Sequence, residues 1–342
     1  MNGRERYRRA LAFAGPDRPP VMHRTLPGAF RHYGRDLDEL YARYPSDVLF
    51  NPASRNWFGF NKLVGEGSGR LKGAVDEWGC VWDSLSDDYL GQVVGHPLDD
   101  WAKLGEYRLP AAESGQEGLA ELGATVQADG HSHYVPVLLG TLWQQYFWLR
   151  GFENALYDVL AEPPEMYELR DRLVAFLLRR LEIILRQKEH VDGIQLNDDW
   201  GSQQALLINP TAWRRIYKPA YARLVEAIHA AGCYAHLHSD GHIAAIVPDL
   251  IEIGFDELNP QVSCMALAEL SRLCRDKVCV RADVDRQYHL AYGTPAEMKS
   301  HVRELYAAFG SPLGGYIGYG EVAAETPLAN AEAMLATFYQ LA

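Results

Sequence analysis

Cysteine is scarce in this chain, and what there is falls at unhelpful spacings. The five residues Cys80, Cys233, Cys264, Cys274 and Cys279 are odd in number and contain no C-x-x-C pair, which argues against a disulfide framework and against a four-thiolate zinc site. They read as reduced packing residues. No apolar run approaches the roughly 20 residues needed to cross a bilayer, and the opening Met1-Asn2-Gly3-Arg4-Glu5-Arg6 lacks the apolar stretch of a secretory leader. A cytoplasmic protein with no membrane partner is expected. Positive charge is also short: 33 Lys and Arg stand against 45 Asp and Glu, a formal net charge of -12. With no basic stripe to follow a phosphate backbone, nucleic acid is not an expected partner.

What is present is enough apolar material for a large core. At 342 residues and 48% hydrophobic, the chain can form one large barrel or two ordinary domains. Short β-branched or aromatic runs alternate with helical periodicity from about residue 133 onward, the pattern of repeated strand–helix units around a parallel sheet. The runs are 133 to 140, 192 to 199, 233 to 240, 255 to 260, 277 to 285 and 314 to 321, and two earlier ones lie at 21 to 25 and 48 to 53. Eight strands favour a closed barrel over an open sheet. The expectation is therefore α/β, a single (β/α)8 TIM barrel spanning 1 to 342, with residues 54 to 130 as an irregular excursion over its mouth and a hairpin around Asp76 to Trp82. Between strands, Met166, Leu169, Leu173, Phe176, Leu177, Leu181, Ile184 and Leu185 form a helical stripe after Pro163-Pro164. A second helix should run from Pro210 to Gly232, capped by Asn209 and kinked or split at Pro219.

Polar residues gather where these strands end, and strand ends before a turn form the catalytic face of such a barrel. In His236-Leu237-His238-Ser239-Asp240-Gly241 the alternation of side chains puts His236, His238 and Asp240 on one face. Two imidazoles and a carboxylate suit a divalent metal; the plainer account is hydrogen bonding to neighbouring strands or substrate. In Asn197-Asp198-Asp199-Trp200-Gly201-Ser202-Gln203 the adjacent carboxylates either bind a metal, act as general acid or base, or cap a helix. Arg281, Asp283 and Asp285 share a face of the strand 277 to 285, where a barrel-closing salt bridge is the plainer role, and Tyr319 and Glu321 end the last strand. Nearby aromatics, Trp57, Phe58, Trp78, Trp82, Trp143, Tyr146, Phe147 and Trp148 among them, either wall a pocket or pack in the core.

Taken together, several segments resemble the uroporphyrinogen decarboxylase superfamily, which holds both haem-pathway decarboxylases and methyltransferases that work with corrinoid proteins. The segments are the opening Arg4-Glu5-Arg6 helix, Asp76-Glu77-Trp78-Gly79, Leu149-Arg150-Gly151-Phe152-Glu153-Asn154, Asp198-Asp199-Trp200-Gly201-Ser202-Gln203, Leu237-His238-Ser239-Asp240-Gly241 and Thr326-Pro327. The decarboxylase signature P-x-W-x-M-R-Q-A-G-R is replaced by Pro20-Val21-Met22-His23-Arg24-Thr25-Leu26-Pro27-Gly28, leaving Arg24 alone to meet substrate carboxylates. The methyltransferase branch is nearer. It implies zinc bound through an H-x-C pair and a late cysteine, but here His238 stands in the place of the first cysteine and no cysteine lies near Gly320 or Glu321.

The resemblance implies a methyltransferase with a divalent ion, zinc, held by His236 or His238 with Asp240 or Glu321, moving a methyl group from a small substrate to a corrinoid on a partner protein. Asp199, with Asp198 and Arg281, would supply acid, base or positioning chemistry. Trp143, Tyr146, Asn197, Trp200, Asp283 and Tyr319 would contact substrate. The rival readings are a metal-free carboxy-lyase using Asp199 and Arg281, and a ligand-binding barrel without catalysis. Barrels of this superfamily commonly pair as homodimers.

Overall fold

The computed structural model describes residues 1–49, 63–64, 73–83, 91–114 and 117–341. Among the described residues, eleven strands fall in two sheets. Seven form a parallel sheet: β1 (Val21–Thr25), β6 (Pro136–Gly140), β7 (Gly193–Asn197), β8 (Tyr234–Ser239), β9 (Glu257–Pro260), β10 (Cys279–Asp283) and β11 (Tyr316–Val322). Their order is β1-β11-β10-β9-β8-β7-β6, so each strand from β6 to β11 lies beside its successor, with helices packed outside. The other four, β2 (Leu63–Val64), β3 (Ala74–Asp76), β4 (Val81–Asp83) and β5 (Gln92–Gly95), make an antiparallel sheet that includes the expected hairpin.

The parallel sheet curls, because residues of non-neighbouring strands meet inside it. Arg281 of β10 reaches Gln195 of β7 and Met22 of β1. At the open edges, Asp47 donates its N–H to Val21 O at 2.8 Å, Tyr134 donates to Asp47 O at 2.9 Å, and Leu49 donates to Tyr134 O at 2.8 Å. The stretch around Val48 therefore hydrogen-bonds both to β1 and to the run-in of β6. Of the expected strand 48 to 53, only Val48 and Leu49 fall within the described residues; Trp57 and Phe58 lie outside them.

The expected helices form for the expected reasons. The stripe beginning at Met166 lies on the helix Pro164–Ile184, with Met166, Leu169 and Leu173 buried. The second helix splits at Pro219 into Pro210–Ile216 and Lys218–Ala230, with Asn209 accepting from Thr211 N at the cap and Gly232 at φ 72 beyond the end. No helix among the described residues is long and apolar enough to cross a membrane.

Two apolar clusters result. The large one lies between sheet and helices, and a small one fills the floor of the curled sheet with Tyr7, Leu11, Met22, Val48, Tyr134, Cys279, Ile317 and Tyr319. Tyr7, from the helix Gly3–Leu11, stacks on Tyr134 at 4.0 Å and donates to Glu257 Oε2 at 2.5 Å. Glu257 also pairs with Arg281 Nε at 2.9 Å and His236 Nδ1 at 3.1 Å, while His236 Nε2 meets Tyr134 OH at 2.6 Å. Gly193 leaves the space for that last contact: a Cβ there would stand 2.1 Å from His236 Nε2.

Burial pushes Glu257 up, but His236, Arg281 and the Tyr7 hydroxyl outweigh it and hold the carboxylate down to about 2. A depressed carboxylate contributes stability that is complete above its unfolded value near 4.5 and is lost as pH falls toward 2. The denaturant midpoint should therefore drop steeply between those pH values. In Glu257→Gln that segment of the pH profile should flatten, from a lower starting stability.

Candidate functional site

The site is built where the loops after β7 and β8 run together. The bonding between these strands continues past their ends: Asp198 N donates to His238 O at 2.9 Å, Trp200 N to Ser239 Oγ at 3.0 Å, Gly201 N to Asp240 O at 3.2 Å and His242 N to Ser202 O at 2.7 Å. Only glycine fits at the crossing. A Cβ on Gly201 would lie 2.2 Å from His242 N, and one on Gly241, at φ +80, would lie 2.1 Å from Gly201 O.

This closure brings Asp199, His238 and Asp240 together, with one candidate ligand atom from each lying within 4.8 Å of the others. Asp240 N donates to Asp199 Oδ1 at 2.8 Å, and Gln144 Nε2 holds Asp199 Oδ2 at 2.8 Å. His238 Nε2 lies 3.8 Å from Asp199 Oδ1 and 3.7 Å from Asp240 Oδ1, too far for a hydrogen bond. Asp240 Oδ1 is buried and has no hydrogen-bond partner among the described residues. Burial pushes Asp199 up, opposed by His238 and reinforced by the like charge of Asp240. On the neighbouring strands, Asn259 joins His238 Nδ1 at 2.8 Å and Asp283 Oδ1 at 2.8 Å. Burial, against the pull of His238 and the Asn259 bond, pushes Asp283 up to about 6.

Two guanidiniums close the rim. Arg286 contacts Asp240 Oδ2 at 3.2 Å and Glu321 Oε1 at 2.6 Å, and Arg24 reaches Glu321 Oε2 at 3.3 Å. Glu321 is therefore next to the trio but engaged by arginines, which sets it apart from the metal role first expected of it.

Other expected residues are placed elsewhere. His236 does not join the trio; at 1% exposure it belongs to the floor, held by Tyr134 and Glu257. Arg281, 2% exposed, is tied there too. Asp198 points behind the sheet, accepting from Leu142 N, Gln144 N and Tyr221 OH. It thereby satisfies N–H groups at the start of the distant helix Trp143–Arg150, not a helix of its own turn as the plainer reading expected, and burial pushes it up to about 7. Trp143, Tyr146 and Trp200 are fully buried: Trp143 stacks on Trp200 at 4.9 Å and on Tyr146 at 6.1 Å, and Tyr146 donates to Asp158. They form the backing of the loops rather than a pocket wall. Asn197 accepts from Gln195 Nε2 at 2.7 Å and lies opposite His238 in register, and Tyr319 lies opposite Asp283 with its ring 5.0 Å from the Arg281 guanidinium.

Asn259, Arg286, Gln144 and Glu257 were not singled out from the sequence. Glu257 and Asn259 had a signal, polar residues alternating within an expected buried strand; Gln144 and Arg286 stand in loop and helix starts without a periodic mark. The glycine crossing yields a direct expectation. Gly241→Ala should lower stability by about 1–3 kcal/mol through overpacking and a strained φ, read as a shifted denaturant midpoint; an unchanged midpoint would mean the two loops do not bear on each other.

Comparison with known proteins agrees with this architecture. Among curated proteins none matches the chain significantly. Of solved structures, a methyltransferase from Methanosarcina mazei aligns with 99% of this chain and 99% of its own at 16% identity and a TM-score of 0.71, which shows a shared fold. A 3-keto-D-glucoside 4-epimerase from E. coli aligns with 73% of this chain and 97% of its own at 15% identity, with a TM-score of only 0.39. The family model described as uroporphyrinogen decarboxylase (URO-D) matches residues 143–341, a stretch that holds the crossing loops, the trio, Asn259 and Asp283. That match takes in more than half of the sequence, and the chain belongs to the uroporphyrinogen decarboxylase family.

Proposed function

We propose that this chain is a cytoplasmic enzyme that, with a divalent metal ion held by Asp199, His238 and Asp240, moves a methyl group from a small methylated substrate to a corrinoid carried on a partner protein. The observation that carries the reading is the buried Asp240 Oδ1, without a hydrogen-bond partner among the described residues and set within reach of Asp199 and His238. Buried polar atoms are normally satisfied, and oxygens gathered with an imidazole nitrogen call for a cation. One imidazole with two carboxylates suits zinc and related ions. The shared fold with a protein named a methyltransferase points the same way.

When bound, the ion would act as a Lewis acid on an ether or other heteroatom of the substrate, making that atom a better leaving group for the methyl. The chain's own residues do the rest. Gln144 and Asp240 N orient Asp199, one at each oxygen. Arg286 steadies Asp240 from the rim. Asp283, pushed up to about 6, is the carboxyl of the cluster that would exchange a proton with the heteroatom that gives up its methyl. A metal-free lyase built on Arg281 is less well supported, since that guanidinium is committed to Glu257.

We read the scaffold as a closed (β/α)8 barrel in which the stretch around Val48 bridges the two edges of the parallel sheet. Support comes from the bonds that Asp47 and Leu49 make with Val21 and Tyr134 across the sheet edges.

Metal analysis of the purified chain should find close to one equivalent of zinc or a similar ion. His238→Ala should bind it at least ~10–100-fold more weakly, the loss typical of removing even an outer partner of a metal ligand, and should lose methyl transfer to an added corrinoid protein. Undiminished metal content in a folded His238→Ala variant would remove the ligand assignment.

A further inference from the structure

We infer that Asn259 is a positioning residue that fixes the tautomer of His238, placing the proton on Nδ1 and leaving the Nε2 lone pair to face Asp199 and Asp240; its use in metal binding rests on the function proposed above.

The orientation of the Asn259 amide is determined by its surroundings. The side chain is buried on β9, and its Nδ2 donates to Arg281 O at 2.7 Å and Asp283 Oδ1 at 2.8 Å. The Arg281 carbonyl can only accept, so a flipped amide would set oxygen against oxygen. Oδ1 must then be the atom 2.8 Å from His238 Nδ1. A carbonyl oxygen cannot donate, so Nδ1 carries the hydrogen. In the neutral ring the other nitrogen is left with its lone pair, because the bond made by one ring nitrogen sets the state of the other.

That lone pair is directed to the same space as the carboxylates. Nε2 stands 3.8 Å from Asp199 Oδ1 and 3.7 Å from Asp240 Oδ1, and no hydrogen bond spans either gap. Three electron-rich atoms gathered without a proton between them repel one another unless a cation lies among them. The amide thus prepares the imidazole as a ligand, in the manner of the outer partners that orient metal-binding histidines. Its second arm reaches Asp283, so a single rigid group sets both the His238 ring and the carboxyl beside it.

The test is ¹⁵N NMR of metal-free protein labelled at histidine, at a pH where the ring is neutral, with the His238 signals assigned by their loss in His238→Gln. The native chain should show Nδ1 pyrrole-like and Nε2 pyridine-like. In Asn259→Leu, which removes the acceptor, the population should shift toward Nε2–H, the form a free neutral histidine favours, and zinc affinity measured by competition with a chromophoric chelator should fall ~10–100-fold. In Asn259→Asp, which keeps an acceptor at Nδ1 while losing the donor to Arg281 O, the native tautomer should persist. A native chain with its proton mainly on Nε2, or an Asn259→Leu variant that keeps both the native tautomer and the native zinc affinity, would overturn the inference. An Nδ1–H tautomer in a native chain that binds no zinc would support the role of Asn259 and overturn the metal reading alone.

Discussion

The candidate site depends on one backbone contact, the crossing of the loops after β7 and β8 at Gly201 and Gly241. Parallel strands normally part at their ends, each turning toward its own helix. Here the ladder is prolonged by four N–H donors from one loop or the other, down to His242 on Ser202 O. Because the approach is tighter than any side chain permits, Asp199 and Asp240 are set side by side by the main chain, and their carboxylates inherit its rigidity. The aromatic layer of Trp143, Trp200, Trp213, Tyr217 and Tyr221 backs this crossing, and Tyr221 ties it to the buried Asp198.

Below the site lies a layer of buried charge. Removing Glu257 and Arg281 from water costs several kcal/mol per ion, and only close pairing with further hydrogen bonds offsets that cost. The offset is visible: Glu257 is met by Arg281, His236 and the Tyr7 hydroxyl, and Arg281 also reaches Gln195. Such a layer is specific in a way an apolar floor is not, since each partner must come from a different strand or from the first helix.

Much of this was legible in the sequence because it is periodic. Each strand from β6 to β10 falls inside an expected run, β11 overruns its run by Val322 alone, and the proline that splits the helix after residue 210 does so for the stated stereochemical reason. Within the site, alternation correctly grouped His238 with Asp240, since both lie at the end of one strand. It could not separate His236 from them, because alternation fixes the face of a strand and not the height along it; two residues earlier on the same face is the floor instead of the mouth. The pairing of Asp199 with Asp240 across two loops, the arginines on Glu321 and the capping of a distant helix by Asp198 depend on tertiary approach, which leaves no local pattern.

One pairing bears on how the molecule comes into being. β1 lies against β11 in register from Val21 with Gly318 to Thr25 with Val322, and Arg24 meets a carboxylate 297 residues away. During synthesis the first strand must therefore wait for nearly the whole chain to leave the ribosome before its main partner exists. Loop closure over such a distance is slow to be rewarded, so the early segment spends that interval with an unmatched edge, the condition under which nascent chains need a chaperone's protection.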